Sequence, residues 1–212
     1  MKKSLLFVLL GIVFLSPVAL AQNAATILDH TSAKLKNGGG IQANFDATVF
    51  QHKKSTGTTS GSIDVQGKKF KVTSSSMTTW FDGTHQWTLL AGSDEVNLSK
   101  PTEAEIQSIN PYAFVDLYKN GYKCSLKSAT HNGKTCHEVR LLAKNKAKAS
   151  IKEMLLTIDR TTYMPLCIRL LQKDGKWLRL TIKQITQGKQ WPDDHFRFSE
   201  KDYPNVELID LR

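Results

Sequence analysis

The sequence is poor in cysteine and proline. Of its 212 residues, 3 are Cys and 6 are Pro. Three cysteines cannot all pair within one chain, and no Cys-x-x-Cys spacing indicates a zinc or redox site. The hydrophobic share of 40% is typical of a globular chain, and a chain of this length buries roughly 70% of its unfolded surface. We therefore expect a fold that needs no metal or disulfide staple.

A bridge between Cys124 and Cys136 is disfavoured by the hairpin signal between them. A two-residue turn at Asn132-Gly133 places Cys124 opposite Leu141 and turns Cys136 to the other face of the hairpin. How the thiols of Cys124, Cys136 and Cys167 pair stays open at this point.

The chain has one long apolar run, and it lies at the N-terminus. Residues 5–15 follow Lys2 and Lys3, and residues 16–21 supply a break and small residues of the kind that a signal peptidase recognises. This pattern predicts a cleaved secretory signal over residues 1–21. Gln22 follows the predicted cut, where a lipid-accepting protein would have Cys. We expect residues 22–212 to form a single soluble domain outside the cytoplasm.

The charge is strongly basic, with a formal net charge of +10. A basic surface indicates an anionic partner, and secretion argues against nucleic acid. A membrane surface, an anionic lipid or an acidic protein remains. The lysines are dispersed along the sequence, which favours solvated strand edges and loops.

Hydrophobic periodicity predicts a helix followed by strands. Residues 24–36 have helical spacing and end at three glycines, after which residues 41–49 alternate as a half-buried strand. The polar residues 55–61 predict a hairpin loop. Further short strands with turn signals between them are predicted at 62–65, 69–74, 78–81, 86–90 and 95–98.

Two short helices are predicted in the middle of the chain. Thr102 and Glu105 form a capping box that opens a helix over residues 103–109. The apolar residues 112–118 predict a second helix, which stops at Asn120-Gly121.

The second half of the chain is predicted to be strand again. Its apolar residues alternate in register across the hairpin turns, and a short strand is expected at Phe196 and Phe198. The predicted inward faces are Tyr122, Cys124 and Leu126; Val139, Leu141 and Ala143; Met154, Leu156 and Ile158; Leu166, Ile168 and Leu170; and Leu178, Leu180 and Ile182.

Together these segments predict a mainly β fold with some α. About eleven antiparallel strands form a single sheet, and accumulated strand twist curls it into an unclosed half-barrel with a hollow apolar face. The N-terminal helix and the short inserted helices are expected to cover that hollow as a lid.

Catalytic and metal motifs are missing from the sequence. None of the six histidines stands at a ligand spacing, and no Gly-x-Ser-x-Gly elbow or phosphate-binding loop is present. We therefore expect no enzyme activity, no metal and no cofactor. A secreted hydrolase and an inert envelope module are the less favoured readings.

Aromatic residues cluster in the first two thirds of the chain. They could simply form a core, but a hollow apolar sheet face with short helical covers favours an apolar ligand.

Several short motifs resemble the LolA-like periplasmic lipoprotein carriers. They are Lys69-Phe70-Lys71-Val72, Trp80-Phe81-Asp82-Gly83-Thr84-His85-Gln86-Trp87, Asp94-Glu95-Val96, Asn110-Pro111, Ile158-Asp159, Met164-Pro165-Leu166 and the ending from Phe196-x-Phe198 through Tyr203-Pro204 to Arg212. Their order covers nearly the whole mature chain. The sequence is most similar to the divergent branch found in Bacteroidota.

The resemblance implies a monomeric chaperone whose cavity shields the acyl chains of a triacylated lipoprotein. An inner-membrane ABC transporter would load it, and the outer-membrane acceptor is unknown. An envelope-stress sensor or a binder of anionic glycolipid with the same fold is the alternative. The resemblance and the predicted inward faces together place the cavity at Phe45, Val49, Phe70, Trp80, Trp87, Leu89, Phe114, Leu117, Met154, Leu156, Ile168 and Leu180.

One departure from the family pattern concerns the lid. Better-known members have an Arg-Pro pair just before the strand at Lys69-Phe70, and that Arg fastens the closed lid. Gln66-Gly67 stands there in this sequence, so a lid latch of that kind is in doubt.

Overall fold

The computed structural model describes residues 17–102, 105–106, 117–119 and 121–212. For residues 17–22 and Leu117 it describes the backbone alone. The predicted cavity residue Phe114 and most of both inserted helices lie outside the described residues.

One long helix and twelve strands make up this part of the chain. The helix is α1 (Pro17–Asn37), and it begins before the predicted signal cleavage site. The strands are β1 (Gly40–Gln51), β2 (Lys54–Gln66), β3 (Lys69–Ser74), β4 (Met77–Phe81), β5 (Gln86–Leu90), β6 (Glu95–Ser99), β7 (Tyr122–His131), β8 (Lys134–Ala143), β9 (Ile151–Asp159), β10 (Pro165–Gln172), β11 (Trp177–Lys189) and β12 (Glu207–Asp210). Short 3-10 turns occupy Leu117–Lys119 and Asp193–Phe196.

All twelve strands belong to one open sheet. Their order is β12-β6-β5-β4-β3-β2-β1-β11-β10-β9-β8-β7, so β12 and β7 are its two edges. Eleven strands pair in antiparallel fashion, as the sequence predicted, and β12 adds itself in parallel to β6. The parallel edge strand brings the count above the predicted eleven.

Two predicted segments differ from the structure. Residues 55–61 are strand rather than loop, because β2 pairs with β1 along its whole length from Lys54 to Val65. The hairpin turn is instead His52-Lys53, where both residues have positive φ, as a two-residue type I′ turn requires. Phe196 and Phe198 do not form a strand: Phe196 ends a 3-10 turn.

The other predicted hairpin has the expected register. Asn132 and Gly133 have φ angles of 47° and 76°, and Cys124 pairs with Leu141 across the turn. Cys136 and Cys167 are buried free thiols. The disfavoured bridge between Cys124 and Cys136 is therefore not formed in this structure.

Helix α1 crosses one face of the sheet, which we call the helix face. Ala24, Leu28, Thr31 and Leu35 recur at helical spacing and are buried, and Thr31 Oγ1 donates to the carbonyl oxygen of Ile27 at 3.0 Å. The hydroxyl therefore enters the core with its hydrogen bond satisfied. The described residues contain no helix long and apolar enough to cross a bilayer.

The C-terminal segment packs against part of the opposite face of the sheet, around Trp80 of β4. Trp80 is 2% exposed and meets Phe198 and Tyr203 edge-on, with ring centroids 5.8 and 5.6 Å apart. This second, smaller core fastens the segment that leads to β12.

Candidate functional site

The helix face carries two apolar clusters that meet under α1. The first joins Ala24 and Leu28 of the helix to buried residues of β8, β9 and β10. The second joins Leu35, near the end of the helix, to Ile41, Val65, Phe70 and Phe81. The helix thus spans both halves of the sheet and fills much of its hollow.

A narrow apolar cavity remains between the two clusters. Its volume is about 50 Å³, far below the roughly 300–1,000 Å³ of a typical ligand pocket. Its walls are entirely apolar: Leu35, Ile41, Ala43, Ile63, Val65, Leu156, Pro165, Ile168, Ile182 and Ile185. As it stands, the cavity is too small for a fatty chain, so occupation by a larger ligand requires displacement of α1.

A wider cleft of about 570 Å³ adjoins this cavity and shares Pro165, Ile182 and Ile185 with it. The cleft lies where two neighbouring strands separate: β10 and β11 pair only from Cys167↔Thr181 to Leu171↔Trp177. Beyond that point β11 continues along β1, and the start of β10 diverges from it. The parting of these strands opens a route from solvent towards the apolar cavity.

A β-bulge shapes this part of the wall. In the pairing of β1 with β11, Asn44 faces Gln184 but Phe45 faces Ile182, so one residue of β11 is skipped. The skipped residue shifts the alternation. Both Ile182 and Ile185 therefore face the helix although they are three positions apart.

The mouth of the cleft is polar. The side chain of Asp159 accepts hydrogen bonds from the backbone N–H groups of Thr161 and Thr162 at 2.8 and 3.0 Å. These bonds hold the pKa of Asp159 below its ordinary value. The turn that they fix ends at Tyr163, whose φ is +59° and whose ring lies between His30 of α1 and His137 of β8.

The helix end beside the cleft is held by a few contacts. Gln187 Nε2 donates to the carbonyl oxygen of Lys34 at 2.8 Å, and the N–H of Gly188 donates to the carbonyl oxygen of Gly38 at 2.7 Å. Gly39 has a φ of +73°, a conformation that glycine adopts without strain. Gly39 therefore permits the tight connection between α1 and β1.

Seven of the predicted cavity residues share the helix face. Leu156 and Ile168 line the cavity itself, and the others flank it through the two clusters or by strand register: Phe45, Val49, Phe70, Met154 and Leu180. Phe45 and Val49 are opposite Ile182 and Leu178 in the pairing of β1 with β11.

Three predicted cavity residues lie on the opposite face. Phe81 packs with Leu35 of the helix, so Trp80, the residue before it, points away. Trp87 is the cross-strand partner of Trp80, and Leu89 follows two positions later on the same strand. The structure does not bring Trp80, Trp87 and Leu89 to the cavity.

The two remaining predicted residues belong to the inserted segment. Phe114 is outside the described residues, and for Leu117 the backbone alone is described, in a 3-10 turn. The start of the predicted insertion is present: Thr102 Oγ1 accepts from the Glu105 N–H at 3.4 Å, and Glu105 Oε2 accepts from the Thr102 N–H at 2.8 Å. The capping box is therefore formed.

Sequence reasoning missed several residues of the cavity wall. Ile41 and Ala43 lie on the same face of β1 as the predicted Phe45 and Val49, at every second position. The strand pattern therefore already contained the signal for them. Ile63 and Val65 could have been found through the register of β2. Ile185 carried no such signal, because the bulge that turns it inward depends on the partner strand.

Gln66 has a different role from the latch in the family pattern. Its amide forms two hydrogen bonds with the backbone of Trp191: Oε1 accepts from the N–H at 3.0 Å, and Nε2 donates to the carbonyl oxygen at 3.3 Å. Gln66 therefore fastens the C-terminal segment to β2. No group of three or more His, Cys, Asp or Glu side chains that could hold a metal occurs among the described residues.

The described residues thus form one open sheet of twelve strands with a helix packed over an apolar cavity. This architecture defines the class of the protein. The family model for outer membrane lipoprotein carrier protein LolA matches residues 15–175, more than half of the chain. The chain belongs to this family. No curated protein matches the sequence significantly.

The similar solved structures are distant in sequence. An uncharacterized conserved protein from Thermus thermophilus has a TM-score of 0.59 at 12% identity, covering 89% of this chain and 99% of its own. A DUF1329 family protein from Desulfovibrio piger has a TM-score of 0.52 at 10% identity, covering 84% and 97%. A LolA superfamily protein from Nitrosomonas europaea has a TM-score of 0.46 at 12% identity, covering 85% and 98%.

Proposed function

We propose that this protein is a periplasmic carrier that shields the acyl chains of lipoproteins between helix α1 and the sheet during their passage from the inner to the outer membrane. The observation that carries the proposal is the wholly apolar cavity under α1, with an open cleft beside it. Membership of the LolA family supports the same reading.

The energetics favour such a carrier. Each methylene group that leaves water gains about 0.8 kcal/mol, so the long chains of a lipoprotein need an apolar site whenever they leave a bilayer. The walls of the cavity offer no hydrogen-bonding groups that would have to be desolvated. Binding therefore rests on apolar burial and does not select a particular headgroup.

Entry of the cargo requires displacement of α1 from the sheet. Leu28 and Leu35 of α1 occupy apolar space that acyl chains would fill. An incoming chain can replace the helix side chains with its own methylenes, so the sheet face stays covered in both states. We expect α1 to swing about Gly38 and Gly39 as the cleft between β10 and β11 widens.

A capture assay with purified protein tests the proposal. A triacylated lipoprotein in detergent is mixed with the protein, and the soluble complex is collected by size-exclusion chromatography after detergent removal. Ile182→Glu places a charge where the cavity meets the cleft and should abolish capture. Leu89→Glu makes the same kind of change at another half-buried strand residue, but on the opposite face, and should leave capture unchanged.

Circular dichroism of both variants checks that each one is folded. Capture that survives Ile182→Glu in a folded protein, or that Leu89→Glu removes equally, would contradict the cavity assignment. Hydrolysis of the lipoprotein acyl esters by the unmodified protein would contradict the carrier role.

A further inference from the structure

Positive charge is concentrated at one end of the sheet. Three connections lie side by side there: residues 52–54 between β1 and β2, residues 173–176 between β10 and β11, and residues 144–150 between β8 and β9. The strand order places these hairpins next to one another, and the pairings Phe50↔Trp177, Gln172↔Ile151 and Leu142↔Glu153 bring their ends together. We call these three connections the basic rim.

The basic rim holds seven lysines and one acidic residue. This balance gives the rim a net +6 of the +10 carried by the whole chain. Among the described residues, the only ion pair within the rim joins Lys176 to Asp174, at 2.9 Å. The other lysines are exposed: Lys53, Lys54, Lys144, Lys146, Lys148 and Lys173.

An aromatic pair lies directly beside the rim, on the face of the sheet that is opposite the helix face. Phe50 and Trp177 are cross-strand neighbours, both are half-buried, and the guanidinium of Arg179 lies 4.7 Å from the centre of the Phe50 ring. They line a shallow groove of about 310 Å³ whose edge carries Lys53, Arg169 and Arg179. Apolar rings therefore stand at the border of a strongly positive surface.

This combination matches the physical chemistry of an anionic membrane surface. Lysines close to anionic lipid headgroups are attracted to the negative surface potential of the membrane, and Trp prefers the depth at which headgroups meet acyl chains. The rim charges are flexible ammonium groups on three separate loops. Such a diffuse field suits a fluid lipid surface better than an acidic peptide, which arginine forks would recognise with fixed geometry.

We propose that the basic rim, with Phe50 and Trp177, docks the protein on anionic phospholipid bilayers. The rim lies at the far end of the strands from the cleft between β10 and β11, so docking leaves that cleft open. This binding goes beyond the proposed carrier function and does not depend on it. The two ends of the sheet can therefore be tested separately.

Sedimentation with phospholipid vesicles provides the test. The protein should bind vesicles of phosphatidylcholine mixed with phosphatidylglycerol, and it should not bind vesicles made only of phosphatidylcholine. Salt should weaken binding to the anionic vesicles because it screens exposed charges. The triple variant Lys144→Gln, Lys146→Gln and Lys148→Gln should bind the anionic vesicles about tenfold or more weakly.

A matched control separates the rim from net charge alone. Lys68→Gln, Lys100→Gln and Lys189→Gln remove the same charge from exposed lysines at the other end of the strands and should change binding by less than about threefold. Equal losses in the two triple variants would overturn the proposal, as would equal binding to neutral and anionic vesicles. If poly-glutamate bound to the rim and the anionic vesicles did not, the rim would be assigned to an acidic polypeptide instead.

Trp177 supplies an independent readout. Vesicles with brominated acyl chains should quench part of the tryptophan fluorescence of the unmodified protein, and Trp177→Phe should remove that quenching. Quenching that persists in Trp177→Phe would overturn the proposed orientation. Because lipoprotein capture should be unchanged in the rim variant, failure of the docking proposal is distinguishable from failure of the carrier proposal.

Discussion

The ring of Phe45 lies directly over Gly61 on the neighbouring strand. A Cβ atom on Gly61 would stand 2.8 Å from Phe45 Cζ and 2.6 Å from the carbonyl oxygen of Thr73. The absence of a side chain at Gly61 thus lets Phe45 cover the sheet on the helix face.

Gly61→Ala should destabilise the protein by about 1–3 kcal/mol, because the new methyl group forces the ring or the strand to move. Gly57→Ala is the matched control: Gly57 lies on the same strand and face, and nothing stands within 4 Å of a Cβ there. Urea unfolding measures both. Equal stability of the two variants would show that the contact between Phe45 and Gly61 is not a tight one.

Trp80 should contribute to the stability of the folded protein and not to the capture of lipoprotein cargo. Trp80→Ala removes the ring against which Phe198 and Tyr203 pack, with an expected loss of about 3–5 kcal/mol. Trp87→Ala, at a half-buried residue on the same face, should cost less. Both variants, while folded, should still capture a lipoprotein. Loss of capture by folded Trp80→Ala would place the cargo on the opposite face.

Glu138 is a buried carboxylate that serves two cations. Its Oε1 accepts from Lys127 Nζ at 2.8 Å, and its Oε2 accepts from the guanidinium of Arg169. Glu138→Gln should lower the free energy of unfolding by about 1–3 kcal/mol, since both charge-assisted bonds weaken.

Asp174→Asn is the control for Glu138, because it removes the charge from an exposed pair with Lys176. Such pairs contribute about 0–1 kcal/mol. Chemical unfolding in low and high salt measures both changes. A loss at Asp174 as large as that at Glu138 would contradict the role given to burial.

His137 should make the protein less stable in mild acid. Burial, with a smaller effect from the charge of Arg160, lowers the pKa of His137 below its ordinary value of 6.5. In the unfolded chain the imidazole takes up a proton more readily, so stability falls as the pH drops through about 6.5. Above that pH both states are neutral and the effect is absent.

Urea unfolding at about pH 8 and about pH 5 checks this expectation. His137→Gln should show a smaller loss of stability between the two conditions than the unmodified protein. The two chains differ only at this residue, so the difference reports on His137. An identical loss in the two proteins would contradict the prediction.

Local signals predicted much of the fold. The Asn132-Gly133 turn fixed the register of β7 and β8 because a two-residue turn leaves one pairing. The three glycines after α1 marked its end. The segment 55–61 was predicted wrongly as a loop because its Ser, Thr and Gly residues lack an apolar pattern. It is a strand because the long β1 offers it a continuous hydrogen-bonding partner.

The candidate site was harder to predict than the fold. Alternation within a strand shows which residues share a face, but it does not show what covers that face. Trp80 and Trp87 read as cavity residues because they are large and apolar. Trp80 is covered by Phe198 and Tyr203 of the distant C-terminal segment, and no local pattern of β4 reports that contact. Ile185 faces inward through a bulge that only pairing with β1 creates.

The parallel pairing of β6 with β12 has a consequence for the order of folding. Among the described residues, five other strands form between Ser99 and Glu207, so the outer backbone groups of β6 pair only when a very distant segment arrives. Closing such a long loop is slow compared with forming the hairpins. Until it closes, β6 presents a bare edge that strands of other molecules could join. By covering the edge of β6, the C-terminal segment that contains β12 thus protects newly synthesised chains from aggregation through strand pairing.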